Sequence, residues 1–117
     1  MMAPPISRLQ QTGPHSLIAE LDLQPEQSCF AGHFDGWPVL AGVVQVDWVI
    51  RLAQQQLGCE QPFLGLRSIK FQQLIRPPRR VSLSIDYDPA QGLIRFSYRQ
   101  EEQILSGGVV KVAEVSS

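Results

Sequence analysis

His33 and Asp47 are the side chains whose types and spacing point to proton-transfer chemistry. They end the run His33-Phe34-Asp35-Gly36-Trp37-Pro38-Val39-Leu40-Ala41-Gly42-Val43-Val44-Gln45-Val46-Asp47, a histidine before a Gly/Pro turn and an acid in a very apolar segment. Histidine, with an unperturbed pKa near 6.5, is largely neutral at pH 7 and accepts a proton. A carboxyl group is the second proton-handling partner, and the glycines between let a substrate approach backbone N–H groups. Singly, each residue has a plainer explanation: a lone histidine is more often a hydrogen-bonded structural residue. Asp47 has Arg51 at i+4, a helix pair worth only about 0.2–0.5 kcal/mol. Together the balance shifts, because an acid on a nearly all-apolar helix is costly unless paired, hydrogen-bonded or working. Helical geometry sets position 47 about 40° from Val43, on the rim of the apolar stripe, where a carboxylate can look into a pocket.

The element that must hold this acid is a helix from about Ala41 to Leu57, stopped by Gly58. Val43, Val46, Ile50, Ala53 and Leu57 form one stripe, and Val44, Trp48, Val49 and Leu52 cover much of the remaining circumference, which predicts a helix buried on most sides. Met1 to Pro14 reads as a loose arm or a first short strand near Ile6 to Leu9. Ser16 to Leu23 alternates at period 2, as a strand does. After Pro62 come four strand patterns, Phe63 to Ile75, Arg80 to Tyr87, Leu93 to Arg99 and Ile104 to Val115, joined by polar or Gly/Pro turns. Gly107-Gly108 within the last marks a bulge or a close backbone approach.

A long helix between an early strand and four later antiparallel ones is an α+β layout whose sheet must curl around the helix, the hotdog fold. The 117 residues, 44% of them hydrophobic, suit a single domain over 1–117. One such sheet leaves an edge and a helix flank uncovered, which predicts pairing with a second copy or a similar chain. A net charge of −1 supplies no field for nucleic acid or anionic lipid. His15, His33, Cys29 and Cys59 lack metal-ligand spacing, and the two cysteines are too few for a disulfide scaffold. The longest apolar segment, Ala41 to Leu57, is shorter than the roughly 20 residues a membrane span needs, and a soluble, cytoplasmic protein is expected.

The His33–Asp47 stretch resembles the catalytic segment of the β-hydroxyacyl-acyl-carrier-protein dehydratases of the FabA/FabZ type. Their pattern, His-Phe-Pro-Gly-x-Pro-x-Met/Leu-Pro-Gly-Val-x-x-x-Glu/Asp, is met in register by His33, Phe34, Gly36, Pro38, Leu40, Gly42, Val43 and Asp47. Ile69-Lys70-Phe71 through Arg76-Pro77 is similar to the Lys/Arg-Phe-x-x-Pro strand of those enzymes, and the Val-Leu-Ala-Gly-Val-x-Gln-x-Asp-Trp wording is most similar to their small aryl-polyene-cluster members. Asp35 and Ala41 stand where the family has proline, and Trp37 is bulkier than usual. Ala41 should cost little, since proline in a first helical turn is convenient rather than obligatory. Asp35 and Trp37 bear on substrate range.

The resemblance implies dehydration of 3-hydroxyacyl thioesters in fatty-acid or aryl-polyene-type synthesis. Its carrier is the 4′-phosphopantetheine of an acyl carrier protein, and no other cofactor is needed. His33 would remove the α-proton, and Asp47, reaching in from the partner subunit, would protonate or orient the departing hydroxyl. The Gly42 N–H at the positive end of the helix would hold the negative charge developing on the thioester oxygen. Phe34, Gly36, Trp37, Pro38 and Val43 would shape the turn and line an acyl tunnel. Arg76, Arg79 and Arg80, a concentrated positive spot in a chain with ten cationic side chains, read either as a solvated turn or as a dock for the acidic carrier. Two other activities fit parts of the pattern: a hotdog acyl-thioesterase, and a non-catalytic acyl-carrier-binding half of a dehydratase heterodimer. If the arginines dock the carrier, raising salt from about 0.05 to 0.5 M should weaken carrier binding in a titration, and a salt-independent Kd would remove that role.

Overall fold

Residues 2–30 and 38–115 are described by a computed structural model. Their strands form one antiparallel sheet: β1 (Ile6–Gly13), β2 (Ser16–Leu23), β3 (Phe63–Phe71), β4 (Arg79–Asp88), β5 (Leu93–Gln100) and β6 (Gln103–Val112), ordered β1-β2-β4-β5-β6-β3. The helix α1 (Gly42–Gln56) lies on its concave side, the α+β hotdog arrangement expected. Alternation builds that side. Leu17, Ala19 and Leu21 of β2 stand opposite Ile85, Leu83 and Val81 of β4, and Leu83 and Ile85 stand opposite Tyr98 and Phe96 of β5. All eight are buried, and they form the floor on which Val44, Trp48, Val49, Leu52 and Ala53 of α1 pack.

The helix ends as its sequence predicts. Gly58 takes the left-handed conformation (φ 67°), and the N–H groups of Leu57 and Cys59 both reach the Ala53 carbonyl at 3.1 Å. Its orientation differs from the predicted one. The stripe facing the sheet runs through Val44, Trp48 and Leu52, whereas Val43 is 69% exposed and Val46 and Ile50 are only partly covered. Both stripes are apolar, and one sheet can cover only one of them. No helix among the described residues is long and apolar enough to cross a membrane.

Other boundaries also moved. The N-terminal segment is neither loose nor short: β1 runs to Gly13, and the buried Trp48 indole donates to the Met2 carbonyl at 3.0 Å. Its Gln10-Gln11-Thr12 run looks like loop because an edge strand largely open to water needs no apolar alternation. Strand β3 stops at Phe71, not Ile75, because Gln72 and Gln73 both turn their N–H groups to the Leu105 carbonyl. Strand β6 stops at Val112, and Ala113 then bonds the Pro62 carbonyl. Strand β3 carries register shifts between Phe63 and Gly65 and between Arg67 and Lys70. The second faces Gly108, where a Cβ would come within 2.4 Å of Ile69 Cδ1, so Gly107-Gly108 does mark a bulge and a close approach.

Tyr98, fully buried under the helix, is pushed well above the ordinary tyrosine range, first by burial and then by the negative charge of Asp47. The folded chain keeps this proton where the unfolded chain releases it. The associated stability is therefore complete below about pH 10 and lost as pH rises through the folded value. Thermal melting midpoints should hold to about pH 9 and fall above about pH 10, more steeply than in Tyr98→Phe. Equal alkaline slopes for the two proteins would contradict this account.

Candidate active site

The site is built around the first turns of α1. Ala41 caps the helix in an extended conformation (φ −62°, ψ 145°) without a side-chain hydrogen bond, and Gly42 opens it. The opening amide of a helix has no carbonyl one turn back to bond, and the helix dipole places partial positive charge there, so the Gly42 N–H has the chemistry to donate to an anionic oxygen. Glycine at 42 leaves room for the Phe71 ring, a contact not visible in the sequence: a Cβ would lie 2.6 Å from Phe71 Cζ and would push that half-exposed ring aside.

Asp47 lies about one and a half turns further along the helix. It is 33% exposed, and its Oδ2 lies 2.8 Å from Arg51 Nε, the i,i+4 pair expected. Beside the helix start, Gly42, Val43 and Val46 face Phe63, Leu66, Ile69 and Phe71 of β3 across a groove of about 400 Å³ with wholly apolar walls. Strand β3 is a sheet edge, and Phe63, Leu66, Phe71 and Val43 remain about half exposed or more.

Beneath the helix start lies a polar cluster that pattern reading missed. Gln45 is 3% exposed; its Nε2 donates to the Leu40 carbonyl at 3.0 Å, and its Oε1 accepts from the Ser106 hydroxyl at 2.6 Å. Its backbone carbonyl accepts from Tyr98 OH at 2.6 Å. The signal available was one amide side chain in an otherwise apolar run, Val43 to Val46.

Of the predicted site residues, Gly42 and Val43 line this groove, Asp47 lies further along the same helix and is not among its walls, and Pro38 is half-buried at the start of the second described segment. His33, Phe34, Gly36 and Trp37 lie outside the described residues. The arginines do not form one cluster. Arg79 and Arg80, adjacent on β4, project to opposite faces. Arg79 donates to the Gln100 side chain and the Leu74 carbonyl, Arg80 is exposed, and Arg76 is half-buried. No group of metal-ligating side chains occurs among the described residues.

The sequence model of a family described as ApeI-like, ApeI dehydratase, matches residues 9–109. The chain belongs to this family. A chain of the dehydratase heterocomplex ApeI:P from Xenorhabdus doucetiae is 33% identical and superposes with a TM-score of 0.90, over 97% of this chain and 100% of that one. An uncharacterized protein from Erwinia carotovora subsp. atroseptica is 29% identical with a TM-score of 0.83, over 97% and 98%. The dehydratase domain of PpsC from Mycobacterium tuberculosis, solved with C12:1-CoA, shares the fold at 16% identity (TM-score 0.71, 100% of this chain and 46% of that one). No curated protein matches. The ApeI-like membership and the match to the ApeI:P dehydratase heterocomplex support a dehydratase-type function, and the PpsC likeness shows the fold alone.

The geometry around Asp47 in this ApeI-like chain separates chemistry from stability. A partly exposed i,i+4 pair contributes little, so Asp47→Asn should change unfolding free energy by no more than about 0.5 kcal/mol in urea titration. A loss above about 2 kcal/mol would show that the carboxylate is a structural strut.

Proposed function

We propose that this chain removes water from 3-hydroxyacyl thioesters, carried on the 4′-phosphopantetheine arm of an acyl carrier protein, to give trans-2-enoyl thioesters. The observation that carries this reading is that the start of α1 sets the N-terminal amide of Gly42 beside a carbon-walled groove, with the half-buried acid Asp47 five residues further along the same helix. A thioester needs all three: a donor for its oxygen, a group to handle the departing hydroxyl, and an apolar channel for its chain. His33, in register with the family motif, takes the α-proton as the Cα=Cβ bond forms. The β-carbon–oxygen bond breaks with its electron pair leaving on oxygen. Asp47 protonates or orients that oxygen so that it departs as water, and the Gly42 N–H holds the charge on the thioester oxygen.

The active unit pairs this chain with a related hotdog subunit, base and acid coming from opposite protomers. The bare apolar edge of β3 supports such pairing, as does the heterocomplex formed by the ApeI:P relative; a homodimer is the alternative assembly. Phe34, Gly36, Trp37 and Pro38 shape the tunnel mouth, and of the three arginines the exposed Arg80 is the one offered to the carrier. The reaction belongs in the cytoplasm, in aryl-polyene-type or fatty-acid synthesis.

The test incubates the protein, in the oligomer in which it purifies, with a 3-hydroxyacyl thioester while recording enoyl absorbance and free thiol. Enoyl product without thiol release is expected. His33→Ala and Asp47→Asn should each lower turnover at least about 100-fold with unchanged circular dichroism. Thiol release without enoyl product would make the chain a thioesterase, and near-full turnover in His33→Ala would remove the histidine from the mechanism.

A further inference from the structure

Gln45 sits where an apolar side chain would pack at far smaller desolvation cost, and it satisfies its amide with two partners on different elements. One partner is the Leu40 carbonyl, in the segment leading into the helix; the other is the Ser106 hydroxyl on β6. The Gln45 carbonyl is gripped by Tyr98 OH from β5. Tyr98 and Ser106 are direct cross-strand neighbours, so both sheet anchors come from one rigid spot. Leu40 is also held from the other side, its N–H donating to the Ile75 carbonyl at 2.8 Å. The N–H groups of Val44 and Gln45 close on the Ala41 carbonyl at 3.0 and 3.1 Å. Gly42 therefore lies between two fixed points.

We infer that Gln45 is a positioning residue: by tying Leu40 to α1 and the sheet, it fixes where the Gly42 amide meets the substrate oxygen. The inference rests on the dehydratase reading for the use made of that amide. A preorganised donor works only at the place where charge develops, and a misplacement near 1 Å costs roughly 100-fold in rate. Gln45 itself touches no reacting atom in this role.

The test compares Gln45→Met, which keeps length and volume but loses both amide bonds, with Ser106→Ala, which loses only the bond to β6. Steady-state kinetics on a 3-hydroxyacyl thioester and amide hydrogen exchange at the hydrogen-bonded N–H groups of Leu40, Val44 and Gln45 are measured on protein shown to be folded by circular dichroism. Gln45→Met should lower kcat about 10- to 100-fold with KM within about twofold, and should speed exchange at those amides without opening the rest of α1. Ser106→Ala should show a smaller loss, because the Leu40 bond survives. A folded Gln45→Met with wild-type kcat, or a kcat loss no larger than the loss of folded protein, would overturn the inference. If the wild-type chain dehydrates nothing, the dehydratase reading fails separately and exchange decides: selective loss of protection upholds the tether, and unchanged protection overturns it. Should Gln45→Met not fold, Ser106→Ala is read by the same two measurements, and no change in either overturns it.

Discussion

One face of α1 has to leave water, and the sheet is the surface available to receive it. Trp48, Val49 and Leu52 are buried on a floor of cross-strand pairs, so the rotation of the helix about its axis is set by packing. Everything at the site inherits that rotation. With Val44 and Trp48 turned inward, Asp47 and Val43 both fall outside the buried stripe, Val43 on the open side beside the β3 edge. A carboxylate at the rim keeps partial contact with water and a cationic neighbour, which is how an acid survives on so apolar a helix.

The two edges of the sheet are managed in opposite ways. Strand β1 exposes Arg8, Gln10, Gln11 and Thr12, polar groups that discourage further strand addition. Strand β3 exposes Phe63, Leu64, Leu66 and Phe71, and with them the carbon-walled groove beside the helix start. Such an edge is tolerable in a protein that covers it.

Strands β2, β4 and β5 were legible in the sequence almost to the residue because each has one wet and one dry face, the condition under which period 2 appears. Strand β1 was hard to read because it is an edge with little to bury, and the end of β3 because Leu74 and Ile75 prolong an apolar pattern after the backbone has left the sheet. The helix limits were readable from Gly58 and the apolar run, but which of its two apolar stripes met the sheet was not. That choice depends on partners distant in the chain. At the site, the Asp47–Arg51 pair follows from helical spacing alone, while the constraint of Phe71 on Gly42 and the bonds of Gln45 to Leu40 and Ser106 need the fold to become visible.

The irregularities of β3 decide which way its side chains look. In a regular strand, Phe63 and Leu66 would face opposite ways, as would Leu66 and Ile69, because an odd number of steps separates each pair. Each register shift contributes one extra residue and flips the parity, so all four aromatic and aliphatic walls of the groove, Phe63, Leu66, Ile69 and Phe71, end on the same side. The channel is thus a matter of counting more than of composition. Its lining can exchange one hydrocarbon for another, but losing a single residue between Phe63 and Lys70 would turn part of the wall inside out.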